Sequence, residues 1–385
     1  MPVFDSSNCF PGYEFIDGKN MYRGTDLGKG GYVYAEPGMY TNVALLDVAS
    51  MHPNSIINMN CFGEYTERFK NLVDARLNIK HDNLDIVAEM FDGRLKKYLN
   101  DKDSVKALSG ALKIPINSVY GLTSASFDNP FRDKRNVNNI VALRGALFMR
   151  TLQDEVQERG FTVAHIKTDS IKIPDATPEI IDFVMGFGKK YGYTFEHEAT
   201  YEKMCLVNDA VYIAKYKDGD WTATGTQFQI PYVFKKLFSR EPIEFDDLCE
   251  TKSVTSSLYL DMNEDLPDVS DLEKELEKIL KKGDYDIKYV EELKKEIDKG
   301  HAYTFIGKVG RFCPIKPGCG GGLLMREKDG KFYSATGAKG YRWLESEMIK
   351  EMNRYDDIDE GHFIELADNA VDTIKKYGDY DWFVS

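Results

Sequence analysis

Two short apolar runs with the character of buried strands, VALLDVAS (43–50) and FTVAHIKTDSIKI (161–173), are separated by a long stretch with helical periodicity. That separation constrains the fold more than any other feature. Strands of one sheet that flank so much helix require the helices to leave the sheet and return, as an inserted lobe. From Glu64 to Asn100, Phe69, Leu72, Val73, Leu77 and Ile79 recur at near-helical spacing, followed by Leu84, Val87, Met90, Phe91, Leu95 and Tyr98. HDNLD (81–85) reads as the turn between two antiparallel helices. A third helix is expected from Val105 to about Tyr120, kinked or limited by Pro115. NVNNIVALRGALFMRTLQDEVQERG (136–160) is a strong amphipathic helix closed by Gly160.

Beyond the helices, 161–173 reads as strand, tight turn, strand, and 193–225 as further strands with a KDGD hairpin at 217–220. The opening residues read as Gly-rich loop. Residues 270–300 form one or two charged helices, 303–343 a Gly-rich, basic, β-containing segment, and 343–377 helix again. The fold class expected is α+β: a helical lobe inserted in a mixed sheet, then a second lobe.

The formal charge of −13 argues against a nucleic-acid partner until it is resolved by segment. Residues 60–172 hold 18 Lys+Arg against 15 Asp+Glu, whereas 241–300 hold 9 against 19. Residues 301–345 hold 8 against 3, and 346–385 hold 4 against 11. The acid is therefore blocked into two segments with a basic, aromatic module between them, and local patches decide phosphate binding. No apolar run reaches the ~20 residues of a membrane span, and MPVFDSSNCF has no charged-then-apolar leader, so no membrane partner is expected. The six cysteines (9, 61, 205, 249, 313, 319) form no C-x-x-C pair, which points to reduced thiols and no structural zinc.

Two acids stand where chemistry would want them. Asp47 ends an apolar strand and Asp169 tips the TDS turn. Carboxylates raised at strand ends can present divalent-metal ligands, although turn forming accounts for each of them taken alone. Arg76 and Lys80 lie one turn apart on one helix, and Lys113 and Asn117 repeat the spacing on the next. Cations on two facing helices can clamp a triphosphate, and solvated helix faces are the plainer reading.

The order of these pieces carries a resemblance. DVASMHPNSII (47–57) resembles the first palm motif of family B DNA polymerases, an Asp followed by S-L-Y-P-S-I-I. KIPINSVYG (113–121) is similar to that family's K-x3-N-S-x-Y-G, and KTDS (167–170) to its D-T-D-S. GGYVYAEPGMYTNVALLD (30–47) resembles the segment before the first motif, and Arg76 and Lys80 the R-x3-K of the first fingers helix. The likeness covers roughly residues 24–225 and is greatest to the polymerases of tailed bacteriophages.

The resemblance implies a right-hand polymerase: an antiparallel-sheet palm at 1–64 and 119–225, inserted helical fingers at 65–118, and a C-terminal thumb region at 226–385. It implies template-directed addition of deoxynucleotides to a primer 3′ end. Asp47, Asp169 and the carbonyl of Val48 would hold two Mg²⁺ ions, with Mn²⁺ able to substitute. Arg76, Lys80, Lys113 and Asn117 would grip the dNTP, with Ser50, His52 and Tyr120 lining the sugar and base. Gly30, Gly31, Gly121, Lys167 and Tyr212 would meet primer–template DNA. Glu196 and Glu198 resemble acids of the following palm strand. With the first motif at residue 47 there is no room for a proofreading nuclease ahead of it. A separately encoded exonuclease or N-terminal half is then an expected partner, and the cytoplasm, a host's if the chain is viral, the expected location.

Departures from the pattern are specific. Lys167 replaces the first acid of D-T-D, His52 the sugar-screening tyrosine, Ala210 the lysine of K-x-Y, and Gly28 the tyrosine of Y-x-G-G. They leave open a second reading, a catalytically weakened DNA-binding subunit of a split replicase. A metal-dependent nuclease is disfavoured by the lack of a D-x-E cluster on a strand.

Overall fold

The computed structural model describes residues 9–26, 31–129, 131 and 139–385. The chain divides into two compact units, Met1–Thr224 and Gly225–Ser385. Both mix helices with antiparallel sheets, an α+β architecture.

The first unit opens on a meander of β1 (Tyr13–Ile16), β2 (Lys19–Tyr22) and β3 (Thr25–Asp26) where loop was expected. The overlooked signal is turn chemistry. Asp17-Gly18 and Arg23-Gly24 all take positive φ, the geometry that matches a two-residue turn to strand twist. The main sheet comprises β4 (Val33–Ala35), β5 (Gly38–Val48), β6 (His165–Lys167), β7 (Ser170–Ile173), β8 (Phe195–Asn208), β9 (Val211–Tyr216) and β10 (Trp221–Thr224). Its order is β10-β9-β8-β5-β7-β6-β4, with every registered pair antiparallel. β5 begins at Gly38, five residues ahead of the apolar run that announced it, because long pairing with β8 carries its polar start.

Between β5 and β6 run α1 (Met51–Asn58), α2 (Thr66–Lys80), α3 (Leu84–Glu89), α4 (Lys102–Thr123) and α5 (Ile140–Glu158); α6 (Pro178–Lys190) follows β7. The second helix of the lobe is shorter than its periodicity implied. It stops at Glu89, and Phe91 and Asp92 turn left-handed before the chain reaches α4. Pro115 lies inside α4 without ending it.

Strand alternation assigns the two faces of the sheet. Ala44, Leu46 and Val48 of β5, with Ile166, Ile171, Ile173 and Phe195, join Phe148 and Leu152 of α5 and Val184 of α6 in the main core. Full burial of each of the larger of these side chains contributes about 1.5–3 kcal/mol. Val43, Leu45 and Asp47 therefore point the other way, where Val43, Tyr201, Met204 and Leu206 form a second, smaller cluster.

In the second unit the short helices α7 (Thr226–Gln229) and α8 (Pro231–Phe234) precede β11 (Glu250–Asp261). The helical hairpin α9 (Ser270–Lys282) and α10 (Ile287–Asp298) leads to β12 (Tyr303–Ile315), β13 (Leu323–Lys328), β14 (Lys331–Ser334) and β15 (Arg342–Glu345). This sheet runs β14-β13-β11-β12-β15. Asp329-Gly330, both at positive φ, close the β13–β14 hairpin. Helices α11 (Ser346–Glu351), α12 (Glu360–Lys375) and α13 (Tyr380–Val384) complete the unit. Its core gathers Leu258, Leu260, Phe312, Leu324 and Trp343. Among the described residues no helix is long and apolar enough to cross a membrane.

Candidate active site

Asp47 is the penultimate residue of β5, in register with Ser170 of β7 on one side and Glu196 of β8 on the other. Lys167 and Ser170 pair across the β6–β7 hairpin, so Thr168 and Asp169 form its turn, with Thr168 left-handed at φ 57°. The turn is pinned from both sides. Thr168 N–H donates to the Tyr32 carbonyl at 3.0 Å, and Val48 N–H donates to the Asp169 carbonyl at 2.8 Å. The second bond fixes the Asp169 backbone against the strand end that carries Asp47. Gly31 passes close by, since a Cβ there would sit 3.3 Å from Thr168 Oγ1. Gly28 and Gly30 lie outside the described residues.

The two carboxylates disturb each other. Burial, then the charges of Asp169 and Glu198, push Asp47 up to about 7, with Lys80 opposing. Burial likewise raises Asp169, against its own backbone N–H, His52 and Lys172. Among the described residues neither acid has a cationic side chain in ion-pair contact, and no group of three or more His, Cys, Asp or Glu is arranged to hold a metal ion.

Lysine and histidine side chains surround the pair. Lys80, at the end of α2, pairs with Glu196, whose other oxygen meets His81 Nε2 at 3.0 Å. Burial would raise Glu196, but the bonds from Lys80 and His81 hold it below the usual range. His52, in the first turn of α1, stacks on Tyr120 of α4 at 4.2 Å and 7°. Tyr120 in turn donates to Asn139 at 3.1 Å. Burial pushes the His52 imidazole down, the charge of Asp169 opposing. Among the described residues His52 Nδ1 in this site and Arg76 Nε on α2 are buried without a hydrogen-bond partner. Such groups are rare because each forfeits its hydration. Ser50 takes φ 55° to swing the chain from β5 into α1.

Asp47, Asp169, His52, Tyr120, Lys80 and Glu196 are thus brought together. Lys113, Asn117 and Gly121 lie exposed on α4, which packs on α2, and Lys167 is exposed at the end of β6. Tyr212 lies instead on β9, beneath the ammonium of Lys172 at 4.9 Å.

Sequence reasoning missed Lys172 and His165. Both are buried on the Asp47 face, Lys172 opposite Leu45 and His165 opposite Lys172. The ammonium donates to His165 Nδ1 at 3.1 Å, so His165 Nε2–H donates to the Asp209 carbonyl at 3.1 Å. Burial, then the neighbouring Lys172, lowers His165 to about 4. Burial lowers Lys172 to about 8, although Asp47 supports its charge. The available signal was alternation: with Ile171 and Ile173 in the core, Lys172 must share a face with Asp47.

No protein-family model and no curated protein matches the chain. Among solved structures a likeness is found to the family B DNA polymerase from the hyperthermophilic archaeon Pyrobaculum calidifontis, with TM-score 0.43 and 14% identity. The match covers 93% of this chain and 47% of that one, so the chain spans about half the length of that structure. The functional reading therefore rests on the residues themselves.

Proposed function

We propose that the chain is a template-directed DNA polymerase of the family B type, elongating a primer 3′ end with dNTPs. The observation that carries this is the apposition of Asp47 and Asp169 in an order of motifs shared with that family. Asp47 ends the central strand, and Asp169 lies on the turn hydrogen-bonded to that strand end. Residues 1–64 and 119–225 would serve as palm, 65–118 as fingers and 226–385 as thumb region. By its motifs the chain would resemble tailed-bacteriophage enzymes, working in the host cytoplasm.

The donor set fits divalent cations. Two oxygen-bearing groups repel each other in a partly buried site, a cost that Mg²⁺ or Mn²⁺ would relieve. Asp47, Asp169 and the Val48 carbonyl would hold the ions. Bound there, the pair would supply activation of the primer hydroxyl and charge neutralisation at the leaving pyrophosphate. The chain's own residues do the positioning. Arg76, Lys80 and Lys113 would bind phosphate oxygens, assisted by Asn117, while the His52–Tyr120 stack and Ser50 would bound the sugar and base. Gly30, Gly31, Gly121, Lys167 and Tyr212 would track primer–template DNA.

A second reading, a DNA-binding subunit without synthesis, is favoured by one observation. Lys167 and Lys172 share the carboxylate face, so cations already stand beside the acids. Primer extension with Mg²⁺ or Mn²⁺ separates the two. Extension by the unmodified chain, kept in Lys167→Ala with weaker, salt-sensitive primer binding, supports the polymerase. An inert parent chain that gains synthesis as Lys167→Asp establishes the subunit.

A further inference from the structure

The second unit carries a thiol pair that the polymerase reading does not use. β11 and β12 run antiparallel with Glu250 opposite Phe312, and one further step of that register sets Cys249 opposite Cys313. Directly opposed residues of an antiparallel pair have Cα atoms ~4.5–5.5 Å apart, within the ~4.4–6.8 Å that a disulfide spans. The sulfurs already lie 3.2 Å apart. Both thiols are buried, Cys313 completely, in a cluster with Ile315, Leu344, Ile349 and Ile358.

We propose that Cys249 and Cys313 are a reversible dithiol–disulfide site that clips β11 to β12 when a small hydroperoxide oxidises it. The electrostatics divide the labour between the two sulfurs. The bond shared with Cys313 holds the Cys249 thiol below its ordinary range against burial, with Arg311 and Lys350 assisting. Cys313 is pushed up by the same bond and by burial. Cys249, the less buried of the two, is the nucleophile. Its thiolate attacks one peroxide oxygen, the O–O bond breaks, and a sulfenic acid forms as water leaves. The Cys313 sulfur then attacks the sulfenic sulfur, the S–S bond forms, and the hydroxyl departs as water with the Cys313 proton. Two thiols and one H₂O₂ give one disulfide and two waters. A dithiol reductant reverses the change by exchange.

The bridge would span a separation of 64 residues that contains the α9–α10 hairpin. Closing so long a loop constrains the unfolded chain and should raise the melting temperature by roughly 5–10 °C. Cys319 packs against the same cluster and is the rival partner.

The test uses the reduced full chain, treated with hydrogen peroxide, denatured and alkylated before intact-mass measurement and peptide mapping. Six alkyl adducts before oxidation, matching the six cysteines, should become four, with a single Cys249–Cys313 linked peptide. Cys319→Ser should still lose two adducts. Cys249→Ser, which alters the less buried partner, should lose none and show no peroxide-dependent rise in melting temperature. Retention of all six adducts, a linkage through Cys319, or sulfinic acid at Cys249 in place of the bridge would overturn the proposal.

Discussion

Glu250 of the five-stranded sheet and the Asp47–Asp169 pair of the seven-stranded sheet have opposite fates. In the five-stranded sheet, burial would raise Glu250, yet His362 at 2.7 Å and Lys252 at 2.6 Å hold it below the usual range. Glu264, in the turn after β11, is also opposed by burial and is held down by the N–H groups of Gly318 and Gly320, with Arg342 assisting. These acids stabilise the fold they sit in. In the seven-stranded sheet, Asp47 and Asp169 are instead raised by burial, and Asp47 by its acidic neighbours as well. A carboxylate raised by burial destabilises the free protein when it ionises, which makes it a candidate for a binding site.

The largest effect expected from that contrast is on synthesis. Asp47→Asn and Asp169→Asn should each lower kcat for metal-dependent primer extension by about 10³-fold or more, because each removes a ligand of the proposed two-metal site. Glu250→Gln should leave kcat within a few-fold of the parent. Equal rates for Asp47→Asn, Asp169→Asn and the parent would show that the raised acids have no catalytic part.

A middle-sized effect concerns the phosphate clamp. Arg76→Ala, Lys80→Ala and Lys113→Ala each remove a charge-assisted contact of ~1.5–3 kcal/mol, so nucleotide KM should rise about 10- to 100-fold. Primer–template affinity should barely change. Glu196→Gln should act in the reverse sense, because Lys80 is tied to Glu196 and a triphosphate must compete for it. A lowered KM in that variant, read by steady-state incorporation, sharpens the distinction between a resting ion pair and a ligand site. Loss of DNA binding by the clamp variants, with KM unchanged, breaks it.

How far the sequence led is instructive at particular positions. Asp47 and Asp169 were legible because a strand end and a turn are local features. The helical lobe was legible from Phe69 to Leu152 because period 3.6 needs only neighbours. β1 to β3 were missed because their signal lies in Asp17-Gly18 and Arg23-Gly24, not in apolar alternation. The early end of α3 was missed because Phe91 and Asp92 adopt φ values that propensity disfavours. Lys172 and His165 escaped notice because burial of a charge depends on which strands become neighbours, a long-range outcome.

The smallest effect tests the contrast most directly, because it needs no catalysis. Asp47 is raised from 3.8 to about 7 in the folded chain. A folded value above the unfolded one means that the native state binds more protons between those limits. The associated stability is complete below pH 3.8 and is lost as pH rises through about 7. At pH 8 the fold must therefore carry an ionised carboxylate that it disfavours. Asp47→Asn removes that burden and, measured with a chelator present, should raise the melting temperature by about 2–4 °C at pH 8. The gain should shrink by pH 5, where the native aspartic acid is already neutral. Glu250, held below its unfolded value, has the opposite sign: its contribution is present above that value and lost as pH falls. Glu250→Gln should therefore lower the melting temperature at pH 8 and cost less in acid. Added Mg²⁺ should stabilise the parent and Glu250→Gln but not Asp47→Asn, because only the first two keep the carboxylate pair. If Asp47→Asn melts lower than the parent at pH 8 without metal, Asp47 is a structural acid like Glu250, and the distinction between the two acids fails.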